Sequence, residues 1–289
     1  MNASLTLQEF FQQVYRKHHF WLKSNTIQQY EITLRLFDAW HGKPIITEEL
    51  SAELLLGFLR SLMSKSAITV NNKREMIFTL WKFAHRLRFC KTPTPDAWEV
   101  RKLPEIKPIA TAWSMEELRK ILDACDSARE LEGWNSLTWR ALILTIYDTS
   151  HRLSSVLSAR REDLSDGFLT IRGEFTKQKR DVVHKLAADT LSAIESLPKG
   201  DGLLFLWPMD RSNIWREFKK ILQAANLPCG RRDLFHRLRR TSATHLAAVA
   251  GIEAAEQHLD HRTPGLARST YIDPRFMPQI KAADVLPRP

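Results

Sequence analysis

The sequence predicts a mainly α-helical protein with one small β-sheet, an α+β chain of two domains. Three observations lead there. Apolar residues recur at helical spacing through most of the chain, with capping residues before them and glycine or proline behind. Strand-like alternation occurs around residues 168–184. A proline-bearing stretch, with Pro93, Pro95, Pro104 and Pro108 within residues 92–112, divides the helical pattern in two.

The expected first domain spans residues 1–91. Thr6 and Glu9 make a capping-box pattern ahead of Phe10, Phe11 and Val14. A second helix begins near Thr26, carries Ile27, Tyr30, Leu34, Phe37 and Trp40, and ends at Gly42 and Pro44. A third runs from Ser51 to Met63, and a fourth from Thr69 to about Arg88 with a core stripe of Ile77, Leu80, Ala84 and Leu87. Lys73, Arg74, Lys82 and Arg86 on this last helix are candidate phosphate contacts, against the alternative of a solvated polar face.

Residues 92–112 read as a linker, and 113–289 as the second domain. Ser114 and Glu117 form another capping box, opening a helix to about Ala128. Residues 139–149 read as a core helix. The alternation at Phe168–Arg172 and Asp181–His184 predicts a hairpin whose tip is Lys177-Gln-Lys-Arg180. Asp189 and Ser212 are expected to cap two further helices, the second burying Ile214, Trp215, Phe218, Ile221 and Leu222.

Composition narrows the function. The 289 residues suffice for two domains, and 44% hydrophobic with 26% charged residues is a globular profile. No run approaches the roughly 18 apolar residues of a membrane span. The opening MNASLTLQEFF does not resemble a secretory leader, so the cytoplasm is expected. Cys90, Cys125 and Cys229 are too scattered for a zinc site or a disulfide framework and read as buried small hydrophobes. The formal charge of +10 is compatible with a nucleic-acid partner.

The chemistry concentrates at residues 234–271. His236 and Arg239, three apart, share a helix face. Gly251 closes that helix, a short one over 253–259 delivers His261, and Tyr271 follows Pro264 and Gly265. Arginine grips two phosphate oxygens, histidine moves a proton, and tyrosine can attack phosphorus. His245 reads as a helix histidine without a catalytic role.

The run H-R-L-R-R-T-S-A-T-H-L, then L-D-H, then T-Y-I-D, resembles the second conserved box of the tyrosine recombinases, the phage integrase family. T-S-H-R-L-S-S-V-L, with Arg152, resembles the first box, and the stretch from Thr69 is similar, more loosely, to the last long helix of the family's core-binding domain. The resemblance implies a helical core-binding domain and a catalytic domain closing as a clamp on double-stranded DNA. It implies a site-specific recombinase or integrase working through a 3′-phosphotyrosyl link, with no nucleotide cofactor and no metal. Tyr271 would be the nucleophile. Arg152 and Arg239 would hold the non-bridging oxygens, Lys177 (or, failing it, Lys179) would protonate the leaving 5′-oxygen, His236 would assist proton transfer, and His261 would hydrogen-bond the phosphate.

Three positions depart from the family. Ser150 and Asp260 stand where glycine is usual, and Ser155 where an acid normally helps orient the site. Phe276, Met277, Ile280, Val285 and Leu286 form an apolar tail that, by the same resemblance, would dock on a neighbouring protomer of a tetramer on paired DNA sites. The rival functions are a type I topoisomerase of the eukaryotic kind, an inactive DNA-binding relative, and a helical interaction module.

Overall fold

The computed structural model describes residues 4–96, 99–106, 108–131, 133–198, 202–260 and 265–278. The chain forms two compact units, residues 1–107 and 108–289. The division falls within the proline-bearing stretch.

The first unit is helical. Thr6 caps α1 (Leu7–Glu9) through the expected box. The helix then widens into a π-helical stretch, Phe10–Tyr15, and ends as α2 (Arg16–His18). α3 (Ser24–His41) stops at Gly42, whose φ of 84° suits a residue without a Cβ. α4 (Ala52–Ser61) is capped by Ser51, and α5 (Ala67–Arg86) by Ser66, three residues earlier than the sequence suggests. Phe10, Phe11, Leu34, Phe37, Phe58, Ile77 and Trp81 are at the centre of its core.

Lys73 and Arg74 belong to this interior, which corrects their reading as phosphate contacts. Both are buried. The Lys73 ammonium donates to Thr33 Oγ1 at 2.9 Å, and burial lowers its pKa. Arg74 Nε donates to the Val100 carbonyl at 2.7 Å. Asn71 and Leu103 exchange hydrogen bonds of 2.8 and 2.9 Å, so residues 100–103 of the expected linker are strapped to α5. Lys82 and Arg86 are exposed, beside a pocket of about 190 Å³ with Tyr15, His19, Thr79 and Phe83.

The second unit is built round α7 (Ser136–Thr149), which is capped by Asn135 and buries Trp139, Leu142, Ile143 and Ile146 together with Thr138, Thr145 and Thr149. α6 (Met115–Ala124) carries the Ser114–Glu117 box. α8 (Leu153–Val156) is one short turn. Next comes an antiparallel sheet of three strands: β1 (Leu164–Ser165), β2 (Phe168–Ile171) and β3 (Val182–Lys185), in that order. The hairpin register pairs Leu169 with His184 and Ile171 with Val182. β1 was not legible because two residues are too few to alternate.

α9 (Ala188–Glu195) starts two residues before the expected Thr190, and its Asp189 lies inside it. α10 (Arg211–Ala224) is capped by Asp210, which accepts from Ser212 N at 2.7 Å, so Ser212 is the capped residue and not the cap. α11 (Phe235–Ala250), α12 (Ile252–His258) and α13 (Leu266–Thr270) complete the unit. The main core joins Trp113, Trp134, Trp139, Ile146, Phe218 and Phe235. A smaller cluster of Ala243, Ala247, Ala255, Leu259, Ala267, Tyr271 and Ile272 holds the last helices on α11.

No helix among the described residues is long and apolar enough to cross a membrane. The three cysteines are free thiols. Cys90 and Cys125 are buried, whereas Cys229 is only half-buried.

Candidate active site

α11 carries the centre of the site because three of its polar side chains tie two neighbouring segments to it. Thr241 Oγ1 accepts from Trp113 N at 2.8 Å. The Arg237 guanidinium lies 3.3 Å from the centroid of Trp113 and donates to the Ala112 carbonyl at 2.9 Å. Thr244 Oγ1 donates to the Tyr271 carbonyl at 3.1 Å and accepts from Asp273 N at 3.0 Å. Tyr271 N also closes α13 by donating to Ala267 O at 2.8 Å. The tyrosine is thus fixed from its own main chain, and it is only 5% exposed.

Arg239, 1% exposed, is the most deeply buried cation among the described residues. It donates to the Ser150 carbonyl and, at 3.0 Å, to the Leu259 carbonyl. Its guanidinium lies 5.1 Å from the centroid of the Tyr271 ring. Burial lowers its pKa from the ordinary arginine value, and the nearby Tyr271 opposes that. His236, one turn earlier, puts its ring 5.4 Å from that of Tyr271. Although the residue is exposed, its imidazole is set in the site wall. Loss of water there, followed by the charges of Arg239, Arg240 and Arg152, depresses its pKa to about 4. The ring is neutral at pH 7 and able to accept a proton.

Arg152 enters from the turn between α7 and α8. That turn needs a left-handed residue, and Ser150 supplies it at φ 51°. An open pocket of about 200 Å³ joins Arg152, His236 and Arg239 with His151, Leu153, Ser154, Trp215 and Phe235. Arg152, His236, Arg239 and Tyr271, named from sequence, are therefore brought together. His261 lies outside the described residues. Asp260 before it holds φ 54°, so the aspartate adopts the left-handed backbone expected of glycine.

Lys177 and Lys179 are exposed on the segment between β2 and β3. That segment is no simple tip. It starts with a 3-10 turn, Gly173–Phe175, and folds back so closely that a Cβ on Gly173 would meet the Arg180 main chain at 2.9 Å.

Two features escaped the sequence reading. Trp215, expected in the core, is 41% exposed and lines the pocket, edge-on to Phe235 at 6.4 Å. Running inward from the pocket is a cluster of histidines, His151 and His184 buried and His258 half-buried. His151 and His184 share a 2.9 Å hydrogen bond between their Nε2 atoms, and the His184 and His258 rings stand 5.3 Å apart. Burial and neighbouring positive charges hold His151 near 3 and His184 near 4, and lower His258. Two guanidiniums nearby favour such an uncharged floor. His245 plays another part, meeting the Tyr147 hydroxyl at 2.9 Å.

A concave site with one buried and one pocket-facing guanidinium, a neutral imidazole and an anchored phenol is equipped to grip and attack a phosphodiester. Residues 113–277, more than half of the chain, match the phage integrase family, and the chain belongs to that family, the tyrosine recombinases. A comparison with curated proteins finds no match. Among solved structures, the chain is similar to a lambda integrase dimer bound to a COC′ core site. The TM-score is 0.74 at 18% identity, over 96% of this chain and 80% of that one. The Tn1549 transposon integrase in complex with circular intermediate DNA gives 0.69 at 14% identity, over 99% and 100%. XerH site-specific recombinase bound to a palindromic difH substrate gives 0.67 at 20% identity, over 90% and 79%. The shared fold is the mainly helical architecture with its small antiparallel sheet.

Proposed function

We propose that this protein is a site-specific DNA recombinase that cuts and rejoins double-stranded DNA through a 3′-phosphotyrosyl intermediate. The observation that carries the reading is the placement of Tyr271. Its ring lies 5.4 Å from that of His236 and 5.1 Å from the Arg239 guanidinium. Both residues line the pocket that holds Arg152.

In this reading Arg152 and Arg239 receive the non-bridging oxygens of the scissile phosphate and stabilise the charge that develops on them. The Tyr271 oxygen bonds to phosphorus as the bond to the 5′-oxygen breaks. Neutral His236 takes the tyrosine proton, and Lys177, or Lys179 in its place, protonates the departing 5′-oxygen. His261 adds a hydrogen bond to the phosphate. The 5′-hydroxyl of a partner strand then attacks the phosphotyrosine. The bond energy stays in the covalent link, so the cycle needs no nucleotide, and two arginines and a lysine supply the positive charge that a metal would otherwise bring.

Lys82 and Arg86 are the remaining phosphate contacts of the first unit, and residues 1–91 and 113–289, joined by 92–112, are the protein's two functional domains. The enzyme works in the cytoplasm on the DNA there. It is monomeric when free and tetrameric on paired sites, with the apolar tail docked on a neighbouring protomer. Ile280, Val285 and Leu286 of that tail lie outside the described residues.

A duplex nicked beside the cleavage point traps the covalent complex, because the short 5′ fragment diffuses away. The wild type gives a detergent-resistant, slower gel band, and Tyr271→Phe binds the duplex without giving it. Equal yield from the Phe variant removes Tyr271 from the mechanism. Strand transfer between two marked duplexes, against relaxation of a supercoiled circle alone, separates a recombinase from a topoisomerase.

A further inference from the structure

The segment carrying Lys177 is held at both ends by side chains of the site. On its near side, Ser155 Oγ donates to the Phe175 carbonyl at 2.8 Å. Ser155 lies three residues after Arg152, so the lysine segment and the arginine share one short turn. On its far side, Arg180 grips the Asp260 carboxylate, with Nε to Oδ1 at 2.6 Å. Between these anchors Thr176 Oγ1 donates to the Gly173 and Arg180 carbonyls, each at 3.1 Å. Gly173 N donates to Asp181 Oδ1 at 2.6 Å.

Asp260 is an unusual partner. Its side chain is 5% exposed, while that of Arg180 is 58% exposed. The carboxylate therefore sits inside and draws the arginine to it. Its own residue follows Leu259, whose carbonyl accepts from Arg239. The Asp260 charge also acts on Arg239 and His184, where it partly opposes the burial that lowers the pKa of each. One residue thus joins the lysine segment to the turn that fixes the buried arginine.

We infer that Asp260 and Arg180 are positioning residues, whose ion pair holds the Lys177 segment over the scissile phosphate and restores the orienting carboxylate that Ser155 lacks. The inference rests on the proposed phosphotyrosyl chemistry with a lysine acid. Without the pair the segment keeps its Ser155 anchor but swings at the far end, and the ammonium no longer meets the leaving oxygen.

The test replaces the 5′-bridging oxygen of the scissile phosphate with sulfur. The Tyr271–phosphorus bond then forms as the phosphorus–sulfur bond breaks. Sulfur departs as a thiolate without a proton, because a thiol is far more acidic than an alcohol. Asp260→Asn keeps a residue that tolerates the left-handed backbone, and Arg180→Ala alters an exposed side chain. Both are expected to slow cleavage of ordinary DNA by about 10²-fold, the scale of a misplaced general acid. Both should cleave the sulfur substrate at close to the wild-type rate. Lys177→Ala and Lys179→Ala, run beside them, test the underlying reading separately. If neither lysine variant is slow on oxygen and rescued by sulfur, the lysine acid itself is wrong. If a lysine variant is rescued while Asp260→Asn and Arg180→Ala are equally slow on both substrates, or normal on both, the positioning role is overturned.

Discussion

Arg239 donates a hydrogen bond to the main-chain carbonyl of Ser150. The buried arginine thereby braces the turn that presents Arg152, so the placement of Arg152 depends on Arg239 through the backbone. They should behave differently when removed. Arg239→Ala strips donors from the Ser150 and Leu259 carbonyls and is expected to cost about 2 kcal/mol of stability along with cleavage. Arg152→Ala, at the open pocket, should abolish cleavage with a melting temperature close to that of the wild type. Calorimetry of the two variants decides, and an equal loss of stability in both would contradict the bracing role.

Acid should loosen the catalytic unit before it reaches its carboxylates. His151, His184 and His236 have folded pKa values near 3, 4 and 4, against an ordinary 6.5. Between pH 6.5 and about 4 the unfolded chain binds protons that the folded chain refuses, so stability rises with pH there. The contribution is complete above 6.5 and is lost on acidification through that window. Thermal melts at pH 7, 6, 5 and 4 are expected to fall by several degrees in total. His184→Gln should give a shallower slope, and an unchanged slope would take this histidine out of the effect.

Trp215 and Phe218 are three residues apart on α10 but do different work. Phe218 is fully buried and stacks on Phe235 at 4.3 Å, so Phe218→Ala is expected to cost about 3–5 kcal/mol. Trp215→Ala removes a pocket wall and should weaken substrate cleavage roughly tenfold with little loss of stability, the scale of a lost aromatic contact to nucleic acid. Chemical denaturation and the nicked-substrate assay together check the contrast.

The basic surface predicts salt-sensitive binding. If several phosphates are neutralised, affinity for duplex DNA should fall ~10³-fold or more between low and moderate salt. A flat titration of Kd against salt would contradict an interface dominated by phosphate. Lys82→Ala and Arg86→Ala should each reduce the slope, whereas Lys73→Ala should act through folding, since Lys73 donates to Thr33 in the interior.

What was legible follows from how each residue signals its place. That His236, Arg239 and Tyr271 come together could be read because their spacing is fixed by local helices with clear stops. Trp215 could not, because it follows Ile214 on an amphipathic helix, and a large apolar residue there reads as core. Ile214 and Phe218 are indeed buried. Lys73 and Arg74 misled for the opposite reason. A charged side chain reads as solvent-facing until the Thr33 hydroxyl and Val100 carbonyl that receive it are known. The histidine cluster left no pattern, since His151, His184 and His258 come from three separate elements and only folding makes them neighbours.

Ser150 and Asp260 both sit in left-handed backbone, at φ 51° and 54°. Glycine at either place would ease the main chain by roughly 1 kcal/mol. It would also delete the hydroxyl that donates to Ser242 at 2.7 Å, or the carboxylate that holds Arg180. A library screened for heat resistance would be drawn to glycine at both positions, and one screened for strand exchange would be driven away from it at Asp260 alone. Sorting one library both ways would show the residue at 260 pulled in opposite directions and the residue at 150 in one.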